Sequence, residues 1–207
     1  MHLDIAGALL KVLLLWILTA PHEFAHAWTA LRLGDDTPLR EGRVTLNPLA
    51  HVDWIGTALL PFIMSLLGSG FLGWGKPVRT EPAKLKGGLN GLAIVSIAGP
   101  LSNVLMAGIM GGIAIFTLKS FPAFAQFMAD GVQLSLYLAL FNMLPIPPLD
   151  GSKLLLAARV PIRVYVELAR FGLMLLIVIM SSTGVGRWIS EWSIAGARAI
   201  FVMWGWR

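Results

Sequence analysis

The sequence predicts an all-α polytopic membrane protein with about five to six membrane segments. Of its 207 residues, 57% are hydrophobic and only 13% are charged, and the mean hydropathy is +0.76. A soluble domain usually has charges on about a quarter of its residues, so most of this surface must face lipid. The net charge of +5 does not indicate nucleic-acid binding, because the basic residues lie scattered between apolar runs, as topology signals do. The chain has no Cys, which excludes thiolate metal ligands.

The first predicted span runs from about residue 3 to residue 33 and contains the motif His22-Glu23-Phe24-Ala25-His26. Two His residues four positions apart lie on one face of a helix and can bind one zinc ion, with the intervening Glu beside the open coordination position. Three ionisable side chains within five residues at membrane depth are too costly to have no function. The motif therefore predicts a zinc site with ligands His22 and His26 and the catalytic residue Glu23.

Residues 34–53 are polar and rich in turn-forming residues. Thr and Val beside alternating polar residues predict a small membrane-associated β-hairpin with extended stretches at 38–40 and 43–46. Asp35 and Asp36 are predicted to be solvated loop charges. His51 either approaches the metal site as a gate or hydrogen-bond donor, or is an ordinary loop histidine.

Residues 54–73 are apolar and long enough to span, but Pro61 and the glycines at 68 and 70 interrupt them. Two interpretations remain open, a full crossing and a re-entrant hairpin, which we favour. Residues 74–89 contain four basic residues and are the strongest cytoplasmic marker in the chain.

The next predicted span covers residues 90–118, where Gly99-Pro100 and Asn103 are assigned to helix packing. A short connection is predicted at 121–130, followed by a span at 132–144 that the prolines at 145, 147 and 148 must end. A fifth apolar segment centres on 171–180. The Trp-rich tail at 187–206 forms either an interfacial helix or a short last span.

Asp150 is the candidate third zinc ligand, because catalytic zinc sites usually have three protein ligands and this acid follows a proline-broken apolar segment. From its spacing alone, a turn acid at the membrane surface explains Asp150 equally well. Topology favours the ligand: if 54–73 turns back, the basic segment stays cytoplasmic and Asp150 returns to the level of the two His residues. Asn142 is a candidate donor to the tetrahedral oxyanion, with capping of broken helix backbone as the alternative.

Three motifs in this order resemble the site-2 protease family of intramembrane zinc metalloproteases: His22-Glu23-x-x-His26, residues 98–103 (AGPLSN) and residues 142–151 (NMLPIPPLDG). The compact form resembles prokaryotic members without a PDZ domain. The resemblance implies a three-helix catalytic core that binds zinc through His22, His26 and Asp150, with Glu23 as the catalytic residue. It also implies a site that opens toward the cytoplasm and cleaves peptide bonds within or next to transmembrane segments.

The expected protein is thus a single domain, 1–207, with a catalytic core at about 5–155 and accessory membrane segments at about 164–207. We expect one Zn²⁺ per chain, transmembrane proteins as substrates, the lipid bilayer as surroundings, and a location in a prokaryotic cell membrane. The alternative function is a metal or proton transporter that uses the same His and Asp ligands. A transporter needs a polar route across the membrane, whereas the ionisable residues here cluster on one side.

Overall fold

The computed structural model describes residues 4–67 and 73–206, and every regular element within these ranges is helical. In chain order the elements are α1 (Ile5–Arg32), α2 (Thr37–Arg40), a 3-10 turn (Pro48–Ala50), a π-helical turn (Trp54–Leu59), α3 (Leu60–Leu67), α4 (Leu89–Thr117), α5 (Pro122–Asn142), α6 (Gly151–Ala157), α7 (Ile162–Ser182) and α8 (Val185–Met203). Four of them, α1, α4, α5 and α7, are long and apolar enough to cross a membrane.

Helix α4 is the centre of the molecule, because it packs on α1, α5, α6 and α8. Its small residues allow these close approaches; for example, the indole of Trp204, directly after α8, packs over Gly112 and its Nε1–H donates to the Gly108 carbonyl at 3.0 Å. The largest apolar core joins α1, α4, α5 and α8. It contains Leu14, Leu15, Leu18, Ala107, Met110, Ala114, Met128, Val132, Leu138 and Ala197.

The β-hairpin predicted within residues 34–53 is wrong. This stretch forms α2 and a 3-10 turn, because short polar side chains bind the local backbone instead of leaving it for a strand ladder. Asp35 Oδ1 accepts from the Thr37 N–H at 3.0 Å, and Asn47 Oδ1 accepts from the Leu49 N–H at 3.1 Å. Pro38, in the first turn of α2, also suits a helix start.

The two described ends of the 54–73 segment lie side by side. The Trp74 N–H donates to the Gly56 carbonyl at 3.0 Å, and the Lys76 N–H donates to the His51 carbonyl at 2.8 Å. Gly56 is required at this approach, since a Cβ there would overlap the Trp74 indole. The predicted break at residues 68–70 lies outside the described residues.

Helix α5 begins earlier than the sequence predicts. Residues 122–130, expected to form part of a connection, are helical, and the helix runs from Pro122 to Asn142. Proline is favoured in the first turn of a helix, where its missing N–H is not needed. The predicted helix end is confirmed, because residues 143–150 form turns, with a cis peptide between Pro147 and Pro148.

The two C-terminal helices pack differently: α8 contacts α4 and α5, whereas α7 contacts α6 and α8. Helix α7 is largely exposed, and its Gly172 packs so tightly against the Pro147 carbonyl that a Cβ there would overlap it. Helix α8 covers the predicted Trp-rich tail and leaves Trp188 and Trp192 about half exposed. Helix α8 is not among the four helices of the described residues that are long and apolar enough to cross a membrane. The sequence predicts five to six membrane segments.

Candidate metal centre

His22, His26 and Asp150 meet in the interior of the protein. His22 and His26 lie one turn apart on α1, and Asp150 immediately precedes α6, so that residues up to 128 positions apart come together. Asp150 Oδ2 lies 3.1 Å from His22 Nε2 and 3.0 Å from His26 Nε2, and the two Nε2 atoms are 3.1 Å apart. All three residues are buried. The predicted trio could therefore hold a metal ion.

The chemistry of this trio fits zinc. Ligand atoms of a tetrahedral zinc site with bonds of about 2.0–2.1 Å lie about 3.3 Å apart, close to the separations found here. The His26 Nδ1–H donates to the Val95 carbonyl at 2.7 Å, which directs the Nε2 lone pair toward the other two ligands. His22 Nδ1 is buried and has no hydrogen-bond partner among the described residues. Both rings thus present Nε2 to one point.

Gly99 of α4 lies directly against both histidine rings. A Cβ at this position would overlap His26 Nε2 and would lie 2.7 Å from His22 Nε2. Sequence reasoning assigned Gly99 to helix packing and missed its contact with the metal centre. Its occurrence in a Gly-Pro pair within a span was the available signal, but the pair does not reveal which helix approaches.

Glu23 is buried on α1 beside the trio and lines the same cavity. Its Oε2 accepts from the Val78 N–H at 3.2 Å, so the backbone of the irregular segment 73–80 orients the carboxylate. The cavity has a volume of about 360 Å³. One carboxylate oxygen of Glu23 is thus held by the protein backbone in a cavity that also contains the trio.

Arg43 connects this segment to the preceding loop. Its buried guanidinium donates to the Ala50 and Lys76 carbonyls, and burial lowers the pKa of the side chain. Sequence reasoning did not identify Arg43, because one arginine in a polar stretch has no local signature of burial. It holds in place the segment that contacts Glu23.

His51 is fully buried and supports the loop. Its Nε2–H donates to the Thr45 carbonyl at 2.8 Å, and its own carbonyl accepts from Lys76. Burial lowers the pKa of the imidazole, which favours the neutral ring. His51 does not belong to the set of residues that line the cavity, so among the predicted alternatives the described contacts favour a structural loop histidine.

Two asparagines line the cavity. Asn142 donates through Nδ2 to the Leu138 carbonyl at 3.0 Å, which is the predicted capping alternative. One amide hydrogen of Asn142 remains for another acceptor. Asn103 is buried, and its Oδ1 has no partner within the described ranges. The structure therefore adds Asn103 to the surroundings of the site, where sequence reasoning expected packing alone.

Asp35 corrects a further expectation. The sequence predicts that Asp35 and Asp36 are solvated loop charges, but Asp35 is fully buried. Its Oδ2 accepts from the Glu81 N–H at 2.7 Å, and Oδ1 accepts from Thr37. Burial raises the pKa of Asp35, but these hydrogen bonds outweigh it and hold the pKa below its usual value. Asp36 is about half exposed, as predicted.

The sequence is similar to those of three proteins named as zinc metalloproteases. "Putative zinc metalloprotease YwhC" of Bacillus subtilis is 39% identical over 142 residues, 65% of this chain and 62% of the relative. "Putative zinc metalloprotease Rip2" of Mycolicibacterium smegmatis is 31% identical over 201 residues, 91% of this chain and 73% of the relative. "Putative zinc metalloprotease MJ0611" of Methanocaldococcus jannaschii is 32% identical over 135 residues, 65% of this chain and 62% of the relative.

The chain spans less than two thirds of the Bacillus and Methanocaldococcus relatives and about three quarters of the mycobacterial one. No family model and no solved structure matches the chain.

Proposed function

The chain belongs to the zinc metalloprotease family of these relatives, and we propose that it is an intramembrane zinc metalloendopeptidase of the site-2 protease type. It hydrolyses peptide bonds within or next to transmembrane segments of membrane proteins. The observation that carries this proposal is the convergence of His22, His26 and Asp150 beside Glu23. Both His residues and Glu23 belong to α1, a helix long and apolar enough to cross a membrane.

The proposed ligand set consists of His22 Nε2, His26 Nε2 and Asp150 Oδ2 and holds one zinc ion per chain. When bound, zinc supplies a Lewis acid that lowers the pKa of water and polarises a peptide carbonyl. Glu23 accepts the proton of the attacking water and delivers it to the leaving amine. Its Val78 contact occupies one oxygen, Oε2, and Oε1 is assigned to the proton transfer.

Asn142 is the proposed donor to the tetrahedral oxyanion. The Leu138 carbonyl takes one of its two amide hydrogens, and the second is available within the cavity. A preorganised donor of this kind contributes about 3–4 kcal/mol to transition-state stabilisation in acyl transfer. Its position at the C-terminal end of α5, shortly before Asp150, supports this role, because both side chains line one cavity.

We propose that the site opens toward the cytoplasmic side of a prokaryotic cell membrane. Four basic residues at 76–86 lie within or shortly after the segment that contacts Glu23, and Lys and Arg concentrate on the cytoplasmic side of membrane proteins. The adjacent ends of the 54–73 segment support the re-entrant interpretation, which keeps this basic segment and Asp150 on one side. Transmembrane proteins are the proposed substrates and the bilayer is the proposed medium, without nucleic acid.

Zinc content and cleavage of single-span peptides, measured on the full chain in liposomes, test the proposal. We expect Glu23→Gln to retain zinc and lose cleavage by at least about 100-fold, because it removes the proton acceptor and keeps the ligands. His26→Ala should lose both zinc and cleavage. Glu41→Gln, at a carboxylate that does not line the cavity, is the matched control and should behave like the wild type.

Undiminished cleavage by Glu23→Gln would contradict the proposed mechanism. A wild type that binds zinc, cleaves none of the peptides and carries zinc or protons across the liposome membrane would instead establish the transporter alternative. Transport is assayed in the same liposomes with an enclosed indicator dye, so one preparation distinguishes the two functions.

A further inference from the structure

Asp150 presents its two carboxylate oxygens to different partners. Oδ2 faces the two histidine nitrogens at 3.1 and 3.0 Å, whereas Oδ1 lies 3.0 Å from Lys153 Nζ. The ammonium group therefore donates a hydrogen bond to Oδ1, the oxygen that the histidines do not approach. Among the ion pairs of the described residues, the pairs of Asp150 are the ones that connect directly to the metal centre.

The geometry of this pair is set by the start of α6. Asp150 directly precedes α6, and Lys153 lies three residues later in its first turn, so both side chains extend from the same turn. Gly151 fixes that turn, because a Cβ there would overlap the Met143 carbonyl. The Ser152 hydroxyl also donates to the Leu149 carbonyl at 2.6 Å. These two contacts fix the turn that places Lys153 next to Asp150.

A second lysine of this chain shows what an ordinary pair of the same spacing looks like. Lys84 and Glu81 are also three residues apart and lie 2.8 Å from each other, but the Glu81 side chain is 53% exposed. The Asp150 side chain is only 10% exposed. Exposed pairs contribute little because water screens them, whereas a buried carboxylate depends strongly on its partner. Water therefore screens the ion pair of Lys153 with Asp150 less than it screens the ion pair of Lys84 with Glu81.

We propose that Lys153 is a positioning residue that retains Oδ1 of Asp150, so that this carboxylate offers the metal ion a single oxygen. The inference rests on the proposed function. Catalytic zinc sites keep one coordination position open for water or substrate. A carboxylate free to turn can bind a metal through both oxygens, which adds a fifth ligand atom and crowds that position. Lys153 prevents this, because its ammonium group holds the second oxygen by a charge-assisted hydrogen bond.

The visible spectrum of bound Co²⁺ tests this inference on the full chain in detergent micelles. We expect Lys153→Met to bind the same amount of Co²⁺ as the wild type but to lose intensity in the d–d bands, because a second carboxylate oxygen raises the coordination from four to five. Peptide cleavage should fall through kcat, with KM unchanged. Lys153→Arg retains a donor to Oδ1 and should restore the wild-type spectrum.

Lys84→Met is the matched control, since it removes an ion pair of the same spacing outside the cavity, and its spectrum should equal that of the wild type. An unchanged Co²⁺ spectrum in Lys153→Met would overturn the inference. X-ray absorption of the wild-type zinc site tests it without any variant, because a carboxylate bound through both oxygens also overturns it. A wild type that binds no Co²⁺ or zinc instead overturns the proposed function, which separates the two failures.

Discussion

His26 shows how a single side chain depends on two helices. Its Nδ1–H donates to the Val95 carbonyl of α4, while its Nε2 faces His22 and Asp150. A metal-binding imidazole is usually oriented by a hydrogen bond from its other nitrogen, and loss of such a contact typically costs about 10–100-fold in metal affinity. The position of α4 therefore controls the metal centre although α4 supplies no ligand to the trio.

Gly99→Ala is expected to abolish stoichiometric zinc binding. The added methyl group would overlap His26 Nε2 and crowd His22 Nε2, and both contacts involve rings confined between helices. Zinc content of the purified protein, measured by atomic absorption, provides the readout. Gly108→Ala is the control on the same helix, because a Cβ there meets no atom within 4 Å. Equal zinc content in the two variants would contradict the assignment of Gly99 to the site.

At the scale of elements, the irregular segment 73–80 is bound from two sides. Its Lys76 N–H and carbonyl bind His51 and Arg43 of the preceding loop, and its Val78 N–H binds Glu23 of α1. Further along, the Glu81 N–H binds the buried Asp35 carboxylate. The loop after α1 and the segment before α4 thus form one unit next to the cavity.

Asp35→Asn is expected to destabilise this unit in a pH-dependent way. The folded pKa of Asp35 lies below its usual value, because the hydrogen bonds from Thr37 and Glu81 outweigh the effect of burial. The carboxylate therefore stabilises the fold fully above the unfolded pKa of about 3.9, and this contribution is lost as the pH falls through the folded pKa. At pH 7 the loss should be about 1–3 kcal/mol of unfolding free energy.

Thermal unfolding in detergent at pH 7 and near pH 3 measures this difference, which should shrink at the lower pH. Asp36→Asn is the neighbouring control, since its ion pair with Arg40 is exposed and such pairs contribute about 0–1 kcal/mol. If both variants unfold at the same temperature at pH 7, the buried hydrogen bonds of Asp35 do not have the predicted strength.

At the scale of the molecule, the trio connects the first helix to the turn before α6. His22 and Asp150 are 128 residues apart, and α4 and α5 lie between them in the chain. An ion bound by this trio stabilises the arrangement of all these helices, because the unfolded chain has no preformed site. Metal binding and the packing of the core are therefore coupled.

Removal of the metal is expected to lower the unfolding midpoint. Free zinc at about 100 times its dissociation constant should add about 2.7 kcal/mol to the unfolding free energy. Unfolding in detergent with zinc and with excess chelator measures the effect. His26→Ala should unfold at the same midpoint under both conditions, since a ligand is missing. An equal zinc shift in wild type and variant would show that the ion acts elsewhere.

The helices and the His-Glu-x-x-His motif could be predicted from the sequence because their signals are local. Helix α1 was predicted at residues 3–33 and occupies Ile5–Arg32, and α4 was predicted at 90–118 and occupies Leu89–Thr117. The predictions of a hairpin within 34–53 and a connection at 121–130 were wrong. In the first stretch, side-chain hydrogen bonds to the backbone outweigh β-strand propensity, and in the second a proline starts the helix. The catalytic and ligand roles stay predictions that the experiments above test.

The sequence by itself determined that this chain is largely apolar and helical and that its first helix contains a paired-histidine motif. Composition and helical periodicity are local properties that do not depend on contacts with distant residues. Only the tertiary structure decided that Asp150 meets His22 and His26, that Gly99 touches both rings, and that Arg43 and Asp35 are buried. Each of these facts depends on contacts between segments far apart in the chain, and local sequence patterns do not encode such contacts.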